Sequence, residues 1–136
     1  MYKRQLIIVG SGAIGMEFAS FYNDLGVDVT IVEALPSILP NEDTDISKIV
    51  KLNFEKRGIK IKTNSALKSV TNKKNYVSAE IITNEKVETI NSEKLILAIG
   101  IIANTEKLGL KDFNVKIDKG HIVTCLLYTS PSPRDA

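Results

Sequence analysis

The sequence predicts an α/β domain with a parallel sheet, into which an antiparallel β-meander is inserted. Three observations predict this class. Short apolar strand segments alternate with two helical periodicities between residues 6 and 62, and this rhythm is typical of an α/β unit. The connections are long enough for crossover helices, which favours parallel pairing. Between residues 66 and 91, three strand-like segments are joined by turns too short to hold a helix, which indicates antiparallel pairing.

The first strand, residues 6–9, leads into a glycine turn with the spacing G-x-G-x-x-G. Gly10 permits a tight turn, Gly12 has no Cβ to hold a phosphate away, and Gly15 lets the helix pack close to the strand. The N-terminus of the following helix offers N–H donors and positive potential to a phosphate. The spacing can also mark an ordinary strand–turn–helix, but its setting favours a Rossmann-like dinucleotide site. The predicted cofactor-binding residues of the turn are Gly10, Ser11, Gly12, Ala13, Ile14 and Gly15.

The helix after this turn is predicted from apolar residues that recur at helical spacing. We expect this face, with Ala13 and Ile14 at its start, to meet the sheet. Gly26 predicts the end of the helix. The residues of the face are Ile14, Phe18, Phe21, Tyr22 and Leu25.

The second strand, residues 28–32, ends at Glu33, eighteen residues past Gly15. A carboxylate at this point can accept hydrogen bonds from both hydroxyls of an adenosine ribose, and it would repel a 2′-phosphate. No Arg or Lys lies between Glu33 and Lys48 to receive such a phosphate. The pattern therefore predicts NAD rather than NADP as the cofactor. The alternative is an exposed glutamate at the end of a strand.

A polar cluster precedes the second predicted helix and consists of Asn41, Asp43, Thr44 and Asp45. Paired carboxylates can serve acid–base chemistry or a metal, but an N-cap that complements the helix dipole is the favoured interpretation. The helix is predicted to run to about Arg57 with a buried apolar face. A third strand follows at residues 59–62. The face consists of Ile46, Ile49, Val50 and Phe54.

The meander is predicted at residues 67–71, 76–82 and 86–90. The apolar segment 95–100 should then return to the parallel sheet. Gly100 would lie on the same rim as Gly10 and Glu33, where open α/β sheets bind ligands; the alternative is a plain strand-ending glycine. Residues 104–110 should form a loop or short helical turn, and segments 116–118 and 121–123 small strands.

The composition is that of an ordinary soluble globular domain, with 136 residues, 43% apolar residues, 25% charged residues and a net charge of +2. This charge does not suggest a nucleic acid or a membrane surface as a partner, and no apolar run approaches the length of a membrane span. We expect a cytoplasmic protein. His121 and Cys125 are the single histidine and cysteine, so no metal site or disulfide framework is predicted. His121 is expected at the surface.

Residues 125–136 lack periodicity and contain two Ser-Pro steps. We expect this tail to be disordered and not native to the domain, which would comprise residues 1–124 with the meander at about 66–91.

Several segments together closely resemble the NAD-binding domain of the pyridine nucleotide–disulfide oxidoreductases, a domain of the FAD/NAD(P)-binding type. Within that family they are most like those of the dihydrolipoyl dehydrogenases. The resemblance covers about residues 3–124. The segments are G-S-G-A-I-G-M-E from Gly10, V-E at Glu33, I-L-P from Ile38, L-A-I-G ending at Gly100, and N-T-E-K-L-G-L from Asn104.

The resemblance implies a flavoprotein that reoxidises dihydrolipoamide with FAD and NAD, passing electrons from the dithiol through an active-site disulfide and FAD to NAD. The flavin domain with the redox cysteines would precede Met1, and a dimerisation domain with the catalytic histidine and glutamate would follow this chain. No catalytic residue is therefore expected here, and the fragment should be inactive alone. The implied partners are the flavin domain and the dimerisation domain of a homodimeric protein, and the lipoyl domains of the 2-oxo acid dehydrogenase complexes.

The resemblance assigns the three glycines of the turn to the pyrophosphate and Glu33 to the adenosine ribose. It implies that Gly100 meets the cofactor, that Val70 flanks the adenine, and that Glu17 points toward the junction of nicotinamide and flavin. Glu17 can equally be a first-turn carboxylate favoured by the helix dipole.

Ile101 and Ala103 depart from the arginine and proline that the family often has at these positions. The subfamily therefore stays open. The same domain could come from another flavin-dependent relative, such as an NADH oxidase or a mercuric or glutathione reductase. A third possibility is a non-catalytic NAD-binding module.

Overall fold

The computed structural model describes residues 4–124, in two compact units that meet in sequence at Gly100 and Ile101. The predicted tail, with Cys125, lies outside the described residues. The first unit contains β1 (Gln5–Val9), α1 (Ala13–Asp24), β2 (Asp28–Val32), α2 (Thr44–Lys56), β3 (Lys60–Lys62), β4 (Ser65–Asn72), β5 (Val77–Thr83), β6 (Lys86–Ser92) and β7 (Lys94–Leu97). The second contains a 3₁₀ helix (Leu110–Phe113), β8 (Ile117–Asp118) and β9 (His121–Ile122).

The central sheet has the strand order β3-β2-β1-β7, and every neighbouring pair is parallel. In the register of this sheet, Val9 lies opposite both Val32 and Leu97. The carboxyl ends of β1, β2 and β7 therefore meet at one edge, which we call the carboxyl rim. The predicted crossovers, and the predicted return of segment 95–100 to this sheet, are confirmed.

Successive residues of a strand point to opposite faces, so the sheet has two separate cores. On one face, Ile8 and Ile31 pack with α1 and α2 and are completely buried. Burial of each such side chain stabilises the fold by about 1.5–3 kcal/mol. On the other face, Ile7 packs against Ala79 and Ile81 of β5. The helices thus cover one face and the meander covers the other.

The predicted meander is confirmed as an antiparallel sheet of order β4-β5-β6. Its strands extend one or two residues beyond most of the predicted ends, and a bulge interrupts β4 between Leu67 and Ser69. The N–H of Ser65 donates to the carbonyl of Glu33 at 2.8 Å. The first residue of β4 therefore lies at the carboxyl rim, and β4 then runs away from it.

The predicted inner face of α1 is wrong for four of its five residues. The helix buries Gly15, Met16 and Ala19, and of the predicted face only Tyr22 packs against the core. The reason is the close approach of the start of the helix to β1, which leaves little room there for large branched or aromatic side chains. The exposed residues are Ile14 at 48%, Phe18 at 41%, Phe21 at 59% and Leu25 at 65%.

The predicted face of α2 is half correct, because Val50 and Phe54 pack against the core while Ile46 and Ile49 are about half exposed. The start of this helix confirms the N-cap interpretation of the polar cluster. The Oδ1 of Asp43 accepts a hydrogen bond from the N–H of Asp45 at 2.8 Å. Asp43 thus satisfies a helix donor that would otherwise lack a partner.

The second unit contains a short hairpin, in which β8 and β9 pair antiparallel. The Thr105 hydroxyl donates to the carbonyl of Gly120 at 2.7 Å and ties the preceding loop to this hairpin. His121 is exposed, as predicted. Among the described residues, no helix is long and apolar enough to span a membrane.

Candidate functional site

Two of the three glycines in the turn are required by the packing of the chain itself. Gly10 has φ = +99°, and a Cβ there would overlap the carbonyl of Ala98, which follows β7. A Cβ on Gly15 would overlap the carbonyl of Gly10. These close approaches bring β1, β7 and the start of α1 together at the carboxyl rim.

Gly12 differs, because no atom of residues 4–124, apart from its own chain neighbours, lies within 4 Å of the place of a Cβ. Its backbone is extended, with φ = −68° and ψ = 179°, which any residue can adopt. Gly12 is also the N-cap of α1, and no side chain in the described part of the chain caps this helix end. A glycine that the fold does not require, beside open helix donors, leaves space for an anionic group.

Glu33 is a buried carboxylate, only 7% exposed, at the end of β2. Its Oε2 accepts hydrogen bonds from the N–H of Ser11 at 2.8 Å and from the Ser11 hydroxyl at 2.6 Å. Its Oε1 accepts from the N–H of Leu35 at 2.9 Å. The interpretation of Glu33 as an exposed strand-end residue is therefore wrong, because the side chain faces the glycine turn.

The loop 34–40 completes this edge of the site. The N–H of Leu39 donates to the carbonyl of Ser11 at 2.9 Å, and Ile38 anchors the loop in the core with 1% exposure. Sequence reasoning missed the roles of Leu35 and Leu39, which act through backbone N–H groups. It also missed the role of the Ser11 side chain. No local pattern reports these contacts.

The other predicted residues of the turn lie beside Gly12. Ala13 and Ile14 are exposed, so neither meets the sheet as expected. Glu17 is exposed on the same outward side of α1. Gly100 follows β7 at the carboxyl rim, with φ = +150°, a value that favours glycine.

Val70 is not brought to this rim. It pairs with Ala79, five residues along β4 from Ser65, a displacement of about 16 Å at the usual rise of a strand. The strand ends at Asn72, which pairs with Val77 and lines a surface depression together with Lys94 and Leu95 at the start of β7, away from the carboxyl rim. The predicted contact of Val70 with the adenine is not supported by this position. Within the described residues, no group of three acidic, histidine or cysteine side chains is arranged to hold a metal.

Residues 1–126 match the family described as pyridine nucleotide-disulphide oxidoreductase. The chain belongs to this family. Among curated members of the family, it is 45% identical over 121 residues to the dihydrolipoyl dehydrogenase of Rhizobium etli. It is 48% identical over 120 residues to that of Zymomonas mobilis. Each match covers 88% of this chain, so the recognition of the family from the motifs is confirmed.

Solved structures of this oxidoreductase family agree with the fold. LpdA from Mycobacterium tuberculosis superposes with a TM-score of 0.73 at 33% identity, over 85% of this chain and 25% of LpdA. The HOCl-induced flavoprotein disulfide reductase RclA from Escherichia coli, in its Cu(II) complex, gives 0.75 at 28% identity, over 88% and 26% of the two chains. The chain spans about a quarter of the length of the curated relatives it matches.

Proposed function

We propose that this chain is the NAD-binding part of a flavoprotein oxidoreductase of the dihydrolipoyl dehydrogenase type. The observation that carries the proposal is the open space at Gly12, beside helix donors that no side chain of the described chain caps. The family relationship supports it, because the curated relatives at 45% and 48% identity are dihydrolipoyl dehydrogenases.

The residues at the carboxyl rim fit a dinucleotide. The first-turn N–H groups of α1, next to Gly12, would hold the pyrophosphate. Glu33 would accept from a ribose hydroxyl at the acceptor position that its contacts with Ser11 and Leu35 leave open, and Gly100 would let the backbone come close to the cofactor. NAD, when bound, supplies the hydride acceptor, so this chain contributes binding and orientation.

Charge at the rim favours NAD over NADP. The Glu33 carboxylate lies next to the glycine turn, where a 2′-phosphate on the ribose would meet a like charge. The segment from Ala34 to Ser47, which includes the first turn of α2, contains no Arg or Lys that would attract such a phosphate.

The outward side of α1 supports a second domain as a neighbour. Ile14, Phe18 and Phe21 form an exposed apolar face that begins next to the glycine turn. Such faces mark interaction surfaces. A flavin domain covering this face would place FAD near Glu17, which lies on the same side.

In the whole protein, we further propose the reoxidation of dihydrolipoamide carried on lipoyl domains of the 2-oxo acid dehydrogenase complexes. The protein would be a homodimer in the cytoplasm, with its redox cysteines and its catalytic histidine and glutamate outside this chain.

Calorimetric titration of the chain with NAD and NADP tests the proposal. We expect NAD to bind more tightly than NADP. Glu33→Ala should weaken NAD binding about tenfold, because the ribose loses its acceptor, and should reduce the difference in affinity between NAD and NADP. Glu42→Ala is the matched control, since Glu42 is an exposed carboxylate in the segment before α2. Circular dichroism would verify that each variant is folded. A folded wild-type chain that binds neither nucleotide would contradict the proposal.

A further inference from the structure

Ser11 lies at the junction of three elements of the rim. It is completely buried, although it lies in the turn that faces the proposed cofactor. Its N–H and hydroxyl both donate to Oε2 of Glu33, at 2.8 and 2.6 Å. Its carbonyl accepts from the N–H of Leu39 at 2.9 Å. The residue thereby links the glycine turn to β2 and to loop 34–40.

The hydroxyl adds something that the backbone cannot supply. Any residue other than proline at position 11 would offer the N–H, whereas the Ser11 hydroxyl provides a second donor to the same carboxylate oxygen. With the N–H of Leu35 on Oε1, the carboxylate accepts three hydrogen bonds from the protein. A carboxylate has about four acceptor positions, so roughly one is left for a ligand. The direction of that remaining position depends on how firmly the group is held.

We propose that Ser11 is a positioning residue for cofactor selection. Its hydroxyl holds the Glu33 carboxylate in one orientation, with an acceptor directed to a ribose hydroxyl and with its negative charge fixed where a 2′-phosphate would lie. The inference rests on the proposed NAD function and deepens it. It assigns the discrimination between the two dinucleotides to a pair of side chains rather than to Glu33 alone.

Removal of the hydroxyl should change selection more than folding. In Ser11→Ala the N–H remains, so Glu33 keeps two of its three donors but gains rotational freedom. A mobile carboxylate binds a ribose hydroxyl less well, because ordering it on binding costs entropy. It can also turn away from a 2′-phosphate.

The test compares NAD and NADP affinities of the wild-type chain, Ser11→Ala and Ser11→Gly by calorimetry. We expect NAD affinity to fall by about three- to tenfold, with NADP affinity unchanged or higher. The ratio of NAD affinity to NADP affinity should therefore fall. The matched control is Ser37→Ala, because the Ser37 hydroxyl donates to the carbonyl of Ile38 in the same loop and, among the described residues, not to Glu33. A general loosening of the site would weaken both nucleotides equally and leave the ratio unchanged.

A double-mutant cycle separates a role through Glu33 from an independent one. In the background of Glu33→Gln, which keeps the shape but not the charge, Ser11→Ala should change NAD affinity by less than about twofold. Additive effects of the two changes, or an unchanged NAD to NADP ratio in folded Ser11→Ala and Ser11→Gly, would overturn the proposal while leaving the NAD function in place. A folded wild-type chain that binds neither nucleotide would overturn both.

Discussion

The two sides of α1 differ in what their residues contact. The inward side carries Gly15, Met16 and Ala19, and each is buried against the chain's own atoms. The outward side begins at Gly12, where a Cβ would meet open space, and continues through exposed Ile14 and Phe18. The inward side thus combines two small residues with a flexible methionine, whereas the outward side carries branched and aromatic residues.

This difference separates the residues that pack the fold from those that remain available to a neighbour. A helix can approach a strand closely only where its side chains are small, so the inward side is set by packing distance. The large apolar residues of the outward side contribute little to this packing. In the proposed function, these residues would contact a cofactor or a second domain.

The largest expected effect is on the inward side, at Gly15. In Gly15→Ala, the new Cβ overlaps the carbonyl of Gly10, a backbone atom that cannot rotate away. We expect a loss of at least about 3 kcal/mol in the free energy of unfolding, measured by urea denaturation. Gly26→Ala is the control, because it has φ = +82° but open space around it, and it should cost about 1 kcal/mol from backbone strain alone. If both variants lost the same free energy of unfolding, the close approach of Gly15 to the Gly10 carbonyl would not be the reason for the glycine.

A smaller contrast is expected between side chains on the two sides. Met16→Ala should lower the free energy of unfolding by about 2–3 kcal/mol, because it leaves a cavity in the core. Phe21→Ala should lower it by less than about 1 kcal/mol, because Phe21 is exposed. Thermal and urea unfolding would measure both. If Phe21→Ala proved the more damaging change, the assignment of the two faces would be reversed.

The succession of strands along the chain, and whether they pair parallel or antiparallel, was predictable from the sequence, since apolar segments, glycines and short turns indicate both. The face of α1 was not. Apolar residues occur on both of its sides, and periodicity does not tell which side is close to the sheet. That choice depends on the contact between Gly15 and Gly10, which is a tertiary property.

The site, like the fold, was predictable only where the sequence carries a local signal. Gly12 and Glu33 follow from spacing, whereas the hydrogen bond from the Ser11 hydroxyl to Glu33 joins residues 22 positions apart and has no local signal. The position assigned to Val70 came from resemblance alone. The path of β4, which begins at the rim and runs away from it, does not support that position.

Gly12 provides the most direct test of the central claim, that the outward end of the glycine turn serves a dinucleotide. Calorimetric titration with NAD should be compared between the wild-type chain and Gly12→Ala, with urea unfolding measured on both. We expect the free energy of unfolding to change by less than about 1 kcal/mol, because the added Cβ meets no atom of the part of the chain that the structure describes. We expect NAD affinity to fall by about tenfold or more, because that Cβ occupies the space of the pyrophosphate. A folded Gly12→Ala chain that binds NAD as tightly as the wild type would contradict the account.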